Sequence, residues 1–271
     1  MPQIVIATFN TARSGRTPQN KDVVDRVIEF FMGEQIKGSP YDVARAVRSL
    51  EAEIIHLQEV WVPDDANSGG NFLRNLHEEG YNFEFEPFAR LGHMSDRKPG
   101  RDPERTTGSI GIAIVSKFPL LNRSALDLRH VNRDPFPKRP ALAVTIEKDG
   151  VPLTTVCVHA PRYLPVGPIT YLRRLHQKLP PRGTPVVVAG DLNFPRWATR
   201  ATMRGFVSGA AGRTFLAQDP LLQIDQVLAR KRDVRILGTE AVTPLGSRSD
   251  HFAVKAQIEW GFDRRLKRRA S

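Results

Sequence analysis

The sequence predicts a mixed α/β fold, with a core of two β layers covered outside by helices. Three observations lead there. Eight short apolar runs read as strands, three longer segments carry helical spacing, and one Asp-Gly pair between two runs suits an antiparallel hairpin. Strands outnumber helices, and hairpin-joined neighbours mix with helix-joined ones, which favours that layering.

In chain order, "IVIATF" (4–9) is the first strand. Next, "NKDVVDRVIEFFMGEQI" sets Val23, Val27, Phe30 and Phe31 on one helical face. "SPYDVARAVRSLEAE" then offers Ser39 as N-cap, Pro40 at the first helical position and Asp42 in the first turn. Strands follow at "EIIHLQEV" (53–60), "SIGIAIVS" (109–116) and "ALAVTIE" (141–147). The "KDGVP" segment turns the chain through Asp149-Gly150 into "LTTVCVH" (153–159). A third helix, "GPITYLRRLHQKL", precedes "VVVAG" (186–190), and "IDQVLA" (224–229) and "FAVKAQIEW" (252–260) complete the strands. "FARLGHMSDRKPGRDPERTTG" and "LRHVNRDPFPKRP" read as long loops, a length that usually marks function or disorder. No repeat or linker interrupts the pattern, so one domain is expected over 1–262, followed by a basic tail, 263–271.

Composition narrows the class. A chain of 271 residues can bury a sizeable core. Its single cysteine, Cys157, rules out an internal disulfide and argues against a zinc-cysteine cluster, which fits a reducing compartment. No basic leader with an apolar run opens the sequence, and no stretch approaches the ~18 apolar residues of a membrane span. A soluble, cytoplasmic monomer is the expectation, with no protein partner evident. Net charge is +11, and the last ten residues, "FDRRLKRRAS", account for less than half of it. The excess on the body favours polyanionic partners, nucleic acid or another phosphorylated substrate.

Five strands border on unusual polar residues: Asn10 after "IATF", Glu59 in "IIHLQE", His159 in "TTVCVH", Asp191 and Asn193 in "VVVAGDLN", and Asp250-His251 in "SRSDH". Each alone has an ordinary explanation as a turn former or solvated strand end. "VVVAGDLN" is the strongest, because a buried run exits through Gly190 directly into two projecting polar groups. Together they supply three carboxylates, two asparagines and two histidines. Hard oxygen ligands suit Mg²⁺ or Mn²⁺, and imidazoles suit proton transfer and hydrogen bonds to anionic oxygens. Those are the parts needed to split a phosphoester.

In order, "ATFN", "IIHLQEVW", "GSIGIAIVSKFPL", "TTVCVHAP", "VVVAGDLNFP", "LLQIDQVL" and "SRSDHFAV", spanning 7–254, resemble the endonuclease/exonuclease/phosphatase superfamily, which includes deoxyribonuclease I. The resemblance implies a four-layer α/β sandwich: two mixed sheets face to face, helices outside, and a metal site at one rim. It implies Asn10, Glu59 and Asp250 at the metal, with Glu59 the main ligand. Asp191 would position and activate water, and Asn193 would bind phosphate or a second metal. His159 would contact the scissile phosphate and help protonate the leaving group. His251 would donate to a phosphate oxygen, with Asp225 of "LLQIDQVL" behind it, raising its pKa and fixing its orientation.

One departure separates the chain from abasic-site endonucleases, which usually carry an aspartate two residues after the first asparagine and a tyrosine in place of His159. Here position 12 is Ala12. For substrate, the loop residues Arg90, Arg97, Lys98, Arg101, Arg105 and Lys138 add positive charge. Arg139, Arg162, Tyr163, Arg196 and Trp197 are the candidate substrate-binding residues, and Arg200 lies close by in sequence. Basic groups interleaved with aromatics suit a nucleic-acid backbone with bases stacked on Trp197 or Tyr163. A small phosphorylated or lipid substrate is the alternative, and a catalytically silent binding module of the same fold is a further one.

Overall fold

A computed structural model describes residues 1–12, 42–64, 71–94, 106–128, 139–162, 166–215 and 221–261. The expected helix at 20–36, the expected cap Ser39 with Pro40, the basic tail, Tyr163, and Arg97, Lys98, Arg101, Arg105 and Lys138 lie outside these.

Alternation along each strand sorts side chains to two faces. On β1 (Gln3–Asn10), Ile4 and Ile6 join one apolar cluster while Ala7 and Phe9 join another. The first cluster also takes Leu142, Val144, Leu153, Val187, Ala189 and Val227, and so lies between two sheets. One sheet runs β11 (Val234–Val242), β12 (Ala253–Trp260), β1, β2 (Ile54–Pro63), β4 (Thr106–Ser116), β3 (Asn82–Met94). The other runs β5 (Leu121–Leu126), β6 (Ala141–Lys148), β7 (Val151–His159), β8 (Val186–Asp191), β10 (Asp225–Arg230), β9 (Phe206–Ser208).

Helices cover the outer faces. α1 (Val43–Arg48) and α2 (Phe72–Glu78) bury Val43, Val47, Leu73 and Leu76 against the first sheet. α3 (Val166–Lys178) and α4 (Arg196–Thr202) bury Tyr171, Leu172, Leu175 and Ala198 against the second. This is the four-layer sandwich. In α1 the cap is Asp42 itself, whose Oδ1 accepts the Arg45 N–H at 2.8 Å, so the helix starts one residue beyond the aspartate expected in its first turn.

Both sheets share one pattern: a single parallel pair at the centre, β1 with β2 and β7 with β8, flanked by antiparallel strands. Within each central pair the strands point the same way, so their C-terminal ends meet at one edge. Asn10, His159 and Asp191 are the last residues of β1, β7 and β8, and Glu59 lies within β2. Asp149 and Gly150, at φ 54° and 73°, close the predicted hairpin between β6 and β7, with Lys148 opposite Val151.

Four strands were not expected: β3, β5, β9 and β11, and these are the four sheet edges. The segment read as a loop from Phe88 onward instead continues β3 to Met94, and β4 begins at Thr106.

Candidate active site

The inter-sheet faces change character toward one rim. On β1 the order is Ile4, Ile6, Thr8, Asn10; on β7 it is Leu153, Thr155, Cys157, His159. Midway, Thr8 Oγ1 donates to Gln58 Oε1 at 3.2 Å, and His56 Nε2 lies 2.6 Å from Thr155 Oγ1. Burial pushes the Cys157 thiol up to about 12, so this cysteine is an unreactive core group.

Glu59 reaches the site through a backbone irregularity. Gln58 faces the opposite sheet, where its Nε2 meets Cys157 Sγ, so strict alternation would turn Glu59 outward. A bulge between Leu57 and Val60, with Glu59 at φ 53°, redirects it. Thr11 secures the bulge: its Oγ1 lies 3.0 Å from the carbonyls of both Gln58 and Glu59.

Asn10 Nδ2 donates to Asp191 Oδ2 at 3.1 Å and lies 3.5 Å from Glu59 Oε1, while its Oδ1 accepts the Ala12 N–H. Asn10 therefore turns its nitrogen, not its oxygen, toward the carboxylates. His159 Nε2 sits 3.8 Å from Glu59 Oε1 and 3.7 Å from Asp191 Oδ2. Although His159 is buried, neither ring nitrogen has a hydrogen-bond partner among the described residues. Burial, then the charge of Arg139, holds its pKa well below the ordinary histidine value, against the pull of Glu59.

Asp191 is buried, and that burial pushes its carboxyl up to about 6, with Asp225 adding to the rise and His251 opposing it. Gly190 makes its position possible: a Cβ there would stand 1.9 Å from the Val158 carbonyl oxygen. Asn193, at φ 46°, bends the chain so that its N–H donates to Asp191 Oδ1 at 2.8 Å, and its Nδ2 donates to the Ala160 carbonyl.

His251 Nδ1 is 2.9 Å from Asp225 Oδ2. Burial alone would lower its pKa, but Asp225, Asp250 and Asp191 together raise it to about 10. Asp250 and His251 lie just before β12. Three contacts place His251: its N–H donates to Ser249 Oγ, which itself donates to the Asn10 carbonyl at 2.7 Å, and His251 bridges to Phe215, the rings 4.8 Å apart. Asp250 Oδ1 lies 3.9 Å from His251 Nε2.

The candidate substrate residues divide. Arg162 joins the site, its Nη2 donating to Glu59 Oε1 at 3.0 Å. Arg139 is buried, 5.6 Å over the Phe88 ring, which meets His159 edge-on. Arg196 is committed elsewhere, with Nε and Nη2 both donating to the Ser208 carbonyl. Trp197 is 77% exposed, so it is no part of the core. Arg90 pairs with Asp64. Thr11, Phe88 and Phe215 were not singled out from sequence. Thr11 had one signal, a polar residue directly after Asn10; the two phenylalanines had none.

A hard divalent cation needs clustered oxygen donors. Glu59, Asp191 and Asp250 offer carboxylates, and the unpartnered nitrogens of His159 beside two of them mark a place built for a ligand. The donor types of these residues suit such an ion. Ligand atoms of Asp191, Asp225 and His251 also lie within 4.8 Å of one another, close enough to hold a metal. While His251 keeps its proton, however, neither of its nitrogens has a lone pair to give; Asp225 Oδ2 is taken by Nδ1, and Asp225 Oδ1 has no hydrogen-bond partner among the described residues.

Carboxylates for a cation, an open imidazole and an imidazolium backed by a buried carboxylate define a phosphoester-hydrolase class of site. Comparison with known proteins agrees. The chain belongs to the Endonuclease/Exonuclease/phosphatase family, whose profile matches residues 7–251 and whose members are generally phosphoesterases. It is 26% identical over 236 residues to the Escherichia coli K12 protein YbhP, itself uncharacterized, covering 79% of this chain and 85% of YbhP. Among solved structures, a family protein from Bacteroides thetaiotaomicron aligns with TM-score 0.65 at 14% identity, covering 96% of this chain and 99% of that one. The mannosyl-6-phosphatase Bt3783 of the same species aligns with TM-score 0.64 at 14% identity, covering 95% and 100%. Those two likenesses concern the fold. Among the described residues, no helix is long and apolar enough to cross a membrane.

Proposed function

We propose that the protein is a divalent-cation-dependent phosphodiesterase that hydrolyses nucleic acid. In this reading Glu59 and Asp250, with Asp191 and Asn193 nearby, hold Mg²⁺ or Mn²⁺, and Asn10 orients Glu59. A cation bound there neutralises charge on a non-bridging phosphate oxygen. Asp191 orients the attacking water and accepts its proton, a task suited to a carboxyl near 6. His159, with both nitrogens open, contacts the phosphate and aids departure of the leaving oxygen. His251 donates to the developing negative charge, and Asp225 keeps it protonated and aimed.

The observation that carries the nucleic-acid half is Trp197, an exposed indole four residues beyond Asn193 on α4, in a chain of net charge +11. An exposed indole near a phosphate-processing strand end suits base stacking, while the positive body attracts the backbone. Purified protein with Mn²⁺ should cut plasmid or single-stranded DNA or RNA, and EDTA should stop it. Trp197→Ala should weaken single-strand binding by about 10-fold, the loss of one stacked base, with melting temperature unchanged. Turnover confined to small monoesters would overturn the nuclease half.

A phosphatase reading has its own observation. The buried Arg139 guanidinium stands next to the His159 environment, a setting that suits a compact terminal phosphate. Hydrolysis of mannose 6-phosphate or p-nitrophenyl phosphate in preference to DNA would select it.

A further inference from the structure

Glu59 Oε1 faces three nitrogen groups: Arg162 Nη2 at 3.0 Å, Asn10 Nδ2 at 3.5 Å and His159 Nε2 at 3.8 Å. Of the three, only Arg162 brings a permanent charge. Its side chain is 23% exposed against 7% for Glu59, so the guanidinium enters from the solvent side and ends on a buried carboxylate. A buried carboxylate without a counter-charge is strongly disfavoured, and with Asp191 sharing its neighbours Asn10 and His159 the need is sharper still.

We propose that Arg162 is a latch with two seats: it neutralises Glu59 in the cation-free protein, and it moves to the substrate phosphate once Glu59 takes a cation. The inference rests on the reading above that Glu59 is a cation ligand. The same carboxylate oxygen cannot serve a guanidinium at 3.0 Å and a dication together without setting two positive charges side by side. Displaced, Arg162 has an alternative close at hand. It follows His159 by three residues, directly beyond the end of β7, so its backbone is anchored where the phosphate-contacting imidazole is anchored. The planar guanidinium matches two phosphate oxygens at once, which a lysine at this position would not do.

Two consequences follow from this competition. Arg162 lowers the affinity of the free site for cations, because its bond to Glu59 must first break. It also ties phosphate binding to cation binding, because only a cation-loaded Glu59 gives up the guanidinium, and such coupling is reciprocal. An empty site would then be poor at trapping phosphate without a cation, keeping unproductive complexes rare.

The test uses the full chain and Mn²⁺ alone, titrated by electron paramagnetic resonance into wild type, Arg162→Gln and Glu59→Gln, then repeated with inorganic phosphate. Glu59→Gln should weaken Mn²⁺ binding, which checks the underlying reading independently. Arg162→Gln should bind Mn²⁺ about 10-fold more tightly without phosphate, and bind phosphate about 10-fold more weakly with Mn²⁺ present. If Glu59→Gln weakens Mn²⁺ binding while Arg162→Gln leaves it unchanged, the latch fails and the cation assignment stands. If Glu59→Gln changes nothing, both fall. A crystal structure with Mn²⁺ and phosphate separates displacement from a simple charge effect: Arg162 should be on phosphate, and a guanidinium still on Glu59 would overturn the proposal.

Discussion

His56 offers a sharp quantitative test of how dry the space between the sheets is. Its side chain is fully buried, with Nε2 2.6 Å from Thr155 Oγ1 of the opposite sheet. Burial pushes its pKa from 6.5 down to about 3, against a smaller upward pull from the Ala189 backbone. The unfolded chain takes up a proton near pH 6.5, while the folded chain refuses it until about pH 3. Because the folded value is the depressed one, the contribution to stability is fully present above pH 6.5 and is lost as pH falls toward 3. Each pH unit well inside that window costs about 1.4 kcal/mol, so moving from the half-titrated point at pH 6.5 to pH 4.5 removes about 2 kcal/mol. The perturbation is the paired change His56→Met with Thr155→Val, which removes both hydrogen-bonding partners at similar volume and leaves no orphaned hydroxyl. Urea unfolding at the two pH values measures the loss for each protein. Wild type should lose about 2 kcal/mol more than the double variant. Equal losses would refute the reasoning, and would mean that water or a local opening reaches His56 in the folded state.

Two further outcomes test the site. Asp225→Asn keeps the shape behind His251 but removes its charge, and turnover of a phosphodiester should fall by about 10²-fold or more while circular dichroism still reports a folded chain; turnover within about twofold of wild type would exclude the pairing as a catalytic support. Gly190→Ala places a methyl group 1.9 Å from the Val158 carbonyl oxygen, so urea unfolding should show a loss of about 3 kcal/mol or more. A loss under about 1 kcal/mol would mean that β7 and β8 do not approach so closely at that point.

What the sequence reveals about the fold follows from burial. The eight expected strands are interior ones, whose two covered faces demand apolar runs. The four that escaped are edges, free to be polar: β5 is exposed along nearly its whole length, and β3 carries glutamates, an arginine and Pro87, a residue an edge tolerates. The site was legible where a polar residue ends an apolar run, as with Asn10, His159 and Asp191. Glu59 was legible by identity but not by direction, since alternation points it away and only the bulge at φ 53° brings it back. Arg162 and Arg196 look alike in the sequence, each following a candidate catalytic motif. Their different fates, one on Glu59 and one on the Ser208 carbonyl, depend on which neighbour the fold sets within reach.

The contacts that assemble the site also bear on how the sandwich holds together. Asn10, Glu59 and His251 belong to the first sheet or its approach, while His159, Arg162, Asp191 and Asp225 belong to the second or its exit. Asn10 to Asp191, Arg162 to Glu59 and His251 to Asp225 therefore all cross between sheets. Away from the rim the sheets meet through packed Ile, Val and Leu, crossed by His56 to Thr155 midway and, at the far end, by Lys148 to the Gln3 carbonyl and Trp260 to the Val151 carbonyl. At the rim they are held by hydrogen bonds near 3 Å, which a slide of an ångström would break. Polar contacts along the interface, at the rim and away from it, thus fix the register between the sheets. That register in turn places Asp191 and His159 relative to Glu59. A substitution that loosens the sheet packing, even far from the rim, should consequently lower turnover before it lowers the amount of folded protein, because a misplacement of about 1 Å between reacting groups already slows the chemistry.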